Sequence, residues 1–89
     1  MSRWRLETTV EFDRAARKLD RTALRRIRAY LTEVTEREDP RARGRALTVN
    51  RAGYWRYRIG DYRVIVQIVD DQLVLIALSV GHRSAVYRD

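Results

Sequence analysis

Arg56, Arg58 and Arg63 bracket a Gly60-Asp61 dipeptide within the run Trp55-Arg56-Tyr57-Arg58-Ile59-Gly60-Asp61-Tyr62-Arg63-Val64. Glycine followed by a turn residue suits a two-residue type II′ hairpin, and the flanking residues are strongly β-prone. Such a turn sets the register: Ile59 opposes Tyr62, Arg58 opposes Arg63 and Tyr57 opposes Val64. Period two then places Arg56, Arg58 and Arg63 on one face and Trp55, Tyr57 and Ile59 on the other. Like charges directly across a sheet destabilise it by roughly 0.2–1 kcal/mol per pair. An anion lodged between Arg58 and Arg63 reverses that sign. The competing reading is a solvated strand face whose repulsion salt screens over about 8–10 Å.

More groups with chemical potential follow the next strand. Asp70-Asp71 marks a turn, and Gln72 to Val80 is apolar on both faces, as a central strand would be. Beyond it come His82, Arg83 and Tyr87, side chains able to move protons or hold phosphate. Strict alternation from Gln72 puts His82 on the arginine face. A bulge at Gly81 would put Arg83 there instead, and both arrangements stay open.

These residues need a scaffold, and the rest of the chain supplies one. Arg3 to Glu7 alternates as a short strand. Thr8-Thr9-Val10-Glu11 fits a capping box, and Phe12, Ala15, Ala16 and Leu19 recur at helical spacing behind it. Asp20 caps a second helix with Leu24, Ile27, Leu31 and Val34 on one stripe and Arg25, Arg26 and Arg28 largely off it. Asp39-Pro40 ends that helix, because the residue before proline is pushed out of the helical region. From Pro40 to Ala52 no clean period holds, and Arg41, Arg43, Arg45 and Arg51 stand in an irregular connection. The expected fold is α+β, in the order β-α-α-β-β-β, an antiparallel sheet with a helical hairpin packed on one face. Residues 1–89 make a single domain, whose small size lets it bury only about 60–65% of its unfolded surface.

Composition narrows the partners. Formal net charge is +7, which suits nucleic acid or an acidic protein. Of 19 basic side chains only Lys18 is a lysine. Guanidinium forks grip phosphate in a bidentate way that ammonium cannot, although a GC-rich genome also favours arginine. The absence of cysteine removes disulfides and thiolate zinc sites. No metal or cofactor is expected. No apolar run approaches the roughly 20 residues of a membrane span, and the N-terminus lacks the features of a signal peptide, so a cytoplasmic protein with no membrane partner is expected.

The stretch Tyr54 to Val64, together with Ser79-Val80-Gly81-His82-Arg83 and Val86-Tyr87, resembles the RelE/ParE toxin superfamily, and within it the RelE branch more than the gyrase-inhibiting ParE branch. The resemblance implies the toxin of a type II toxin–antitoxin system that cuts messenger RNA on the ribosome. Cleavage would proceed by attack of the ribose 2′-hydroxyl, leaving a 2′,3′-cyclic phosphate. It also implies a RelB-like cognate antitoxin, bound to this chain in a heteromeric complex. Carried over by position, Arg56 and Arg58 are the substrate-binding pair, where well-known members have lysines. Arg63 is the transition-state arginine, Arg83 acts beside the leaving group, and Tyr87 is the C-terminal tyrosine. The Tyr87 match needs a gap against some members, which often continue past the tyrosine into a further helix.

The chemistry can be weighed without the family. Such a cut needs a base, stabilisation of a dianionic phosphorane and help for the departing oxygen. Positioned arginines serve the second need. They serve proton transfer badly, since a guanidinium with a pKa above about 12 holds its proton. Tyr87 is the base if nearby cations lower its pKa from about 10; otherwise it is a tail residue packing on the sheet. His82 is the alternative base, or a strand-end residue without a chemical role. Tyr54 is placed to stack on a nucleobase, while Trp55 and Tyr57 belong to the core side. Two other functions fit the same features: a ParE-like gyrase inhibitor that cleaves nothing, and a non-catalytic module that binds RNA or the ribosome.

Overall fold

The computed structural model describes residues 3–47 and 53–83. Strand β1 (Arg5–Thr8) leads into α1 (Val10–Arg17) and α2 (Arg21–Glu36). A 3-10 turn at Pro40–Ala42 precedes a two-residue strand, β2 (Arg45–Ala46). Strands β3 (Tyr54–Ile59), β4 (Tyr62–Val69) and β5 (Val74–His82) follow. No helix among the described residues is long and apolar enough to cross a membrane.

Local chemistry explains the helix starts. Thr9 is the N-cap of α1, its hydroxyl accepting from the Phe12 amide at 3.1 Å. The same hydroxyl donates to the Leu78 carbonyl at 2.9 Å. The cap therefore falls one residue later than the Thr8 capping box predicts, because only Thr9 reaches both the helix and β5. Asp20 caps α2 as predicted, accepting from Ala23 N at 2.8 Å. The helix stops at Glu36, where Arg37 turns extended ahead of Pro40.

The five strands lie in the order β1-β5-β4-β3-β2. The steps from β3 to β5 are antiparallel, as predicted; β2, where an irregular connection is expected, adds a fifth strand antiparallel to β3, and β1 pairs parallel with β5 in the register Arg5↔Val74 to Thr8↔Ala77. The sheet is thus mixed. A hairpin turn forces its own strands antiparallel, whereas β1 reaches β5 only through the helices and the whole meander, so no turn dictates its direction. Both helices cover one face. Phe12, Ile27, Leu31 and Val34 from the helices meet Tyr57, Val64, Val66 and Leu75 from the sheet in one buried cluster. Burial of each large apolar side chain contributes about 1.5–3 kcal/mol, so this layer holds the hairpin flat beneath α2. The opposite face of β3 and β4 is left for other work.

Candidate active site

Gly60 takes φ +59, as the first residue of a type II′ turn must, and the register is the one that turn predicts. Ile59 pairs with Tyr62, Arg58 with Arg63 and Tyr57 with Val64. Tyr57 is fully buried under α2, while Arg58 points to solvent from the other face. Two opposed guanidiniums in neighbouring strands are therefore a built feature of the sheet. Tyr54 shares the parity of Arg56 and Arg58 and is half-buried.

Strand β2 adds to the cluster. Arg45 pairs with Arg56, which brings a fourth arginine alongside. Arg43 arrives from the segment just before it. Tyr30, Arg43, Gly44, Arg45, Arg56, Arg58 and Arg63 together line a cleft of about 440 Å³ that runs over the β3 edge toward α2. Arg43 is tied on that side: its Nη2 lies 3.0 Å from Glu33 Oε1, and its guanidinium carbon sits 5.5 Å from the Tyr30 ring centroid. The Arg37 hydrogen bond, then the Arg43 charge, holds the Glu33 carboxyl below its ordinary range. Among the described residues no carboxylate pairs with Arg45, Arg58 or Arg63. Arg63 Nε is buried with no hydrogen-bond partner among them. An unmade bond of this kind costs about 1–3 kcal/mol, more for a charged group, and an anionic acceptor in the cleft would remove the cost.

The end of β5 resolves the choice between His82 and Arg83. Ile65 pairs with Ser79 but Val66 pairs with Ala77, so Leu78 is an extra residue and the parity beyond it is reversed. The bulge lies three residues earlier than Gly81, with the same effect. Arg63 now faces Gly81, and His82 pairs with Tyr62 on the helix side of the sheet. The His82 and Tyr62 rings meet edge to face, centroids 5.7 Å apart. Arg83 stands in the turn just beyond β5, its amide donating to the Asp61 carbonyl at 2.7 Å. The structure thus gathers Arg56, Arg58 and Arg63 and sets His82 on the other face, with Arg83 in the turn that follows β5. Tyr87 lies outside the described residues. Among the described residues, no group of three His, Cys, Asp or Glu side chains could hold a metal ion.

The sequence profile of the ParE toxin of the type II toxin–antitoxin system parDE matches residues 5–87. The chain belongs to this family. It is a toxin of a type II toxin–antitoxin system, in the RelE/ParE superfamily. Its fold is similar to the RelBE2 toxin–antitoxin complex of Mycobacterium tuberculosis (TM-score 0.81, 25% identity, 94% of this chain and 95% of that one). It is also similar to the isolated RelE toxin of E. coli (TM-score 0.76, 23% identity, 97% and 87%). The archaeal RelE–RelB complex of Pyrococcus horikoshii shares the fold as well (TM-score 0.75, 22% identity, 97% and 100%). No curated protein matches the sequence.

For the toxin, then, sequence reasoning placed the hairpin arginines but missed Tyr30, Arg43 and Arg45 as cleft residues. The alternating arginines from Arg41 to Arg45 were visible, but without a strand there was nothing to aim them.

Proposed function

We propose that this toxin is an endoribonuclease that cuts messenger RNA, on the ribosome and in the cytoplasm, by attack of the ribose 2′-hydroxyl on the adjacent phosphorus. The observation that carries the reading is Arg63: directly opposed to Arg58, with a buried Nε that lacks an acceptor, at a cleft rich in arginine. A dianionic phosphorane seated there would receive charge-assisted hydrogen bonds from donors already in place. In the proposed roles, Arg56 and Arg58 bind the substrate phosphate and Tyr54 stacks on a base. Arg63 stabilises the phosphorane, and Arg83 steadies the departing 5′-oxygen. Tyr87, as its phenolate, takes the 2′-hydroxyl proton as the P–O2′ bond forms and the P–O5′ bond breaks, and the departing 5′-oxygen takes a proton from solvent water. His82, on the far face of β5, is the less apt base.

The proposed partner is a RelB-like antitoxin with an acidic, amphipathic helix. The M. tuberculosis and P. horikoshii structures are toxin–antitoxin complexes, and this chain offers complementary charge together with an apolar groove. That groove, between the helices and β1, has Leu6, Phe12, Ala16, Leu24 and Leu31 along it and Arg17 and Arg28 beside them.

A second reading, a ParE-like toxin acting on DNA gyrase, is favoured by the family profile's own description. Primer-extension mapping of messenger RNA after induction separates the two. New 5′ ends inside coding regions, with 2′,3′-cyclic phosphate on the upstream fragments, are expected. Intact messages together with lost gyrase supercoiling would overturn the ribonuclease reading.

A further inference from the structure

A two-residue strand is too short to hold itself in place, yet β2 is fastened from several directions. The Trp55 indole Nε1 donates to the Arg43 carbonyl at 2.6 Å. The buried Tyr57 hydroxyl donates to the Pro40 carbonyl at 2.6 Å. Arg41 grips Asp70 with both guanidinium nitrogens, at 2.9 and 2.7 Å. Gly44, at φ +84, lies so close to β3 that a Cβ there would fall 2.4 Å from the Arg56 carbonyl oxygen and 2.6 Å from Trp55 Nε1. Three of these contacts tie the segment to β3, and Arg41 ties it to the turn after β4. The segment from Pro40 to Ala46 is clipped against β3, and the clip brings Arg45 beside Arg56.

That placement is unfavourable by itself. It sets one guanidinium directly across from another on a sheet that already opposes Arg58 to Arg63. Arg45, like Arg58 and Arg63, has no carboxylate partner among the described residues, so it is available to a second negative charge. Arg45 and Arg63 are separated by two strand spacings of about 4.8 Å and two residues of rise of about 3.3 Å, or roughly 12 Å at the backbone. One phosphate group does not fill that span, whereas a polynucleotide presents phosphates at regular intervals along it.

We infer that Arg45 is a second phosphate-binding residue, for the phosphodiester neighbouring the one held at Arg58 and Arg63, and that Trp55 and Gly44 are positioning residues for it. The inference rests on the reading of the cleft as an RNA site and names a further subsite within it. Labour is divided by parity along β3. Arg56 and Arg58 face the nucleic acid, and Trp55 and Tyr57 hold the clip from behind. An indole is suited to this: its ring packs against the core while its single N–H fixes one carbonyl.

The test measures binding of a labelled single-stranded oligonucleotide with 2′-O-methyl riboses, which cannot be cut, across a range of salt concentrations. For single strands, each phosphate contact contributes about 0.7 to the slope of log K against log salt. Arg45→Ala is expected to lower the slope by about that much, and Arg45→Lys to restore it, because the slope counts charge. Trp55→Phe keeps the ring and loses the N–H; it is expected to weaken binding about three- to tenfold and to lower the slope in the same direction. Gly44→Ala should do likewise. Arg45→Ala with wild-type affinity and slope overturns the subsite and leaves the RNA reading standing. Trp55→Phe and Gly44→Ala that lower only the melting temperature, at unchanged affinity, overturn the positioning role. A wild-type protein that fails to bind even at 50 mM salt overturns this inference, while the ribonuclease reading stands or falls by the primer-extension mapping. Arg45 is exposed, so its variants report whether or not the buried changes are tolerated.

Discussion

Two clefts of nearly equal size lie on this molecule, about 460 Å³ between the helices and β1 and about 440 Å³ over the hairpin arginines. They are unfinished in opposite ways. The first leaves apolar surface in reach of water, with Leu6 36% exposed at its edge. Any matching apolar ridge that covers it gains about 25 cal/mol per Å². The second leaves Arg45, Arg58 and Arg63 without a carboxylate partner among the described residues, and an anion would complete it. Stability and function should therefore come apart differently at each. Loss of a groove side chain weakens a partner, whereas loss of a cleft arginine removes chemistry from a fold that has no need of it.

The sharpest way to break this contrast is at the reacting atoms. Tyr87→Phe should slow a single-turnover cut by about two to four orders of magnitude, the usual worth of a general base, with little loss of binding. If the tyrosine is the base, the rate should rise with pH as the phenol ionises, and Tyr87→Phe should lose that rise. A rise near neutrality that vanishes in His82→Ala would reassign the role. Arg63→Ala should cost roughly 10²- to 10³-fold in rate, as loss of one preorganised donor does. Its melting temperature should hold or rise, since the repulsion with Arg58 is relieved. A variant that cuts normally, or that unfolds, would erase the distinction between cleft and groove.

Leu24→Asp probes the other side. Leu24 is half-buried along the groove, so the change should weaken antitoxin binding about 10- to 100-fold, the worth of one buried leucine, while cleavage by the free toxin persists. Calorimetric titration with the antitoxin checks it. The smallest effect concerns acid. Hydrogen bonding from Arg41 lowers the Asp70 carboxyl below its ordinary range, so the pair stabilises the fold fully above the unfolded value of about 3.9. That contribution is lost as pH falls through the lower folded value. The carboxyl is largely exposed, so the loss is about 0.2–1 kcal/mol, visible as a melting difference between pH 7 and pH 3 that shrinks in Asp70→Asn.

What could be read in advance followed from local rules. Gly60-Asp61 dictates the register of β3 on β4, Asp20 announces α2, and Pro40 forbids its continuation. The parts that escaped depend on distant contacts. Nothing near Arg45 says strand; the Trp55 and Tyr57 hydrogen bonds and the close approach at Gly44 make it one. The bulge at Leu78 is equally silent, because a strand that is apolar at both parities shows no alternation to interrupt. That one residue decides that His82 does not share a face with Arg63. The parallel pairing of β1 escaped for the same reason, since its partner lies at the far end of the chain.

That last pairing has a consequence in time. Thr9, at the end of β1, donates its hydroxyl to Leu78, 69 residues away, and its amide to Ala77. Contacts so far apart in sequence carry a large loop-closure cost and form late in folding. During synthesis at roughly 5–20 residues per second, the first strand must wait several seconds for β5 before the sheet can close. Throughout that interval the opposed arginines have no finished sheet to hold them at their spacing. The arginine cleft of this toxin is thus backed by a complete sheet only after β5 has emerged.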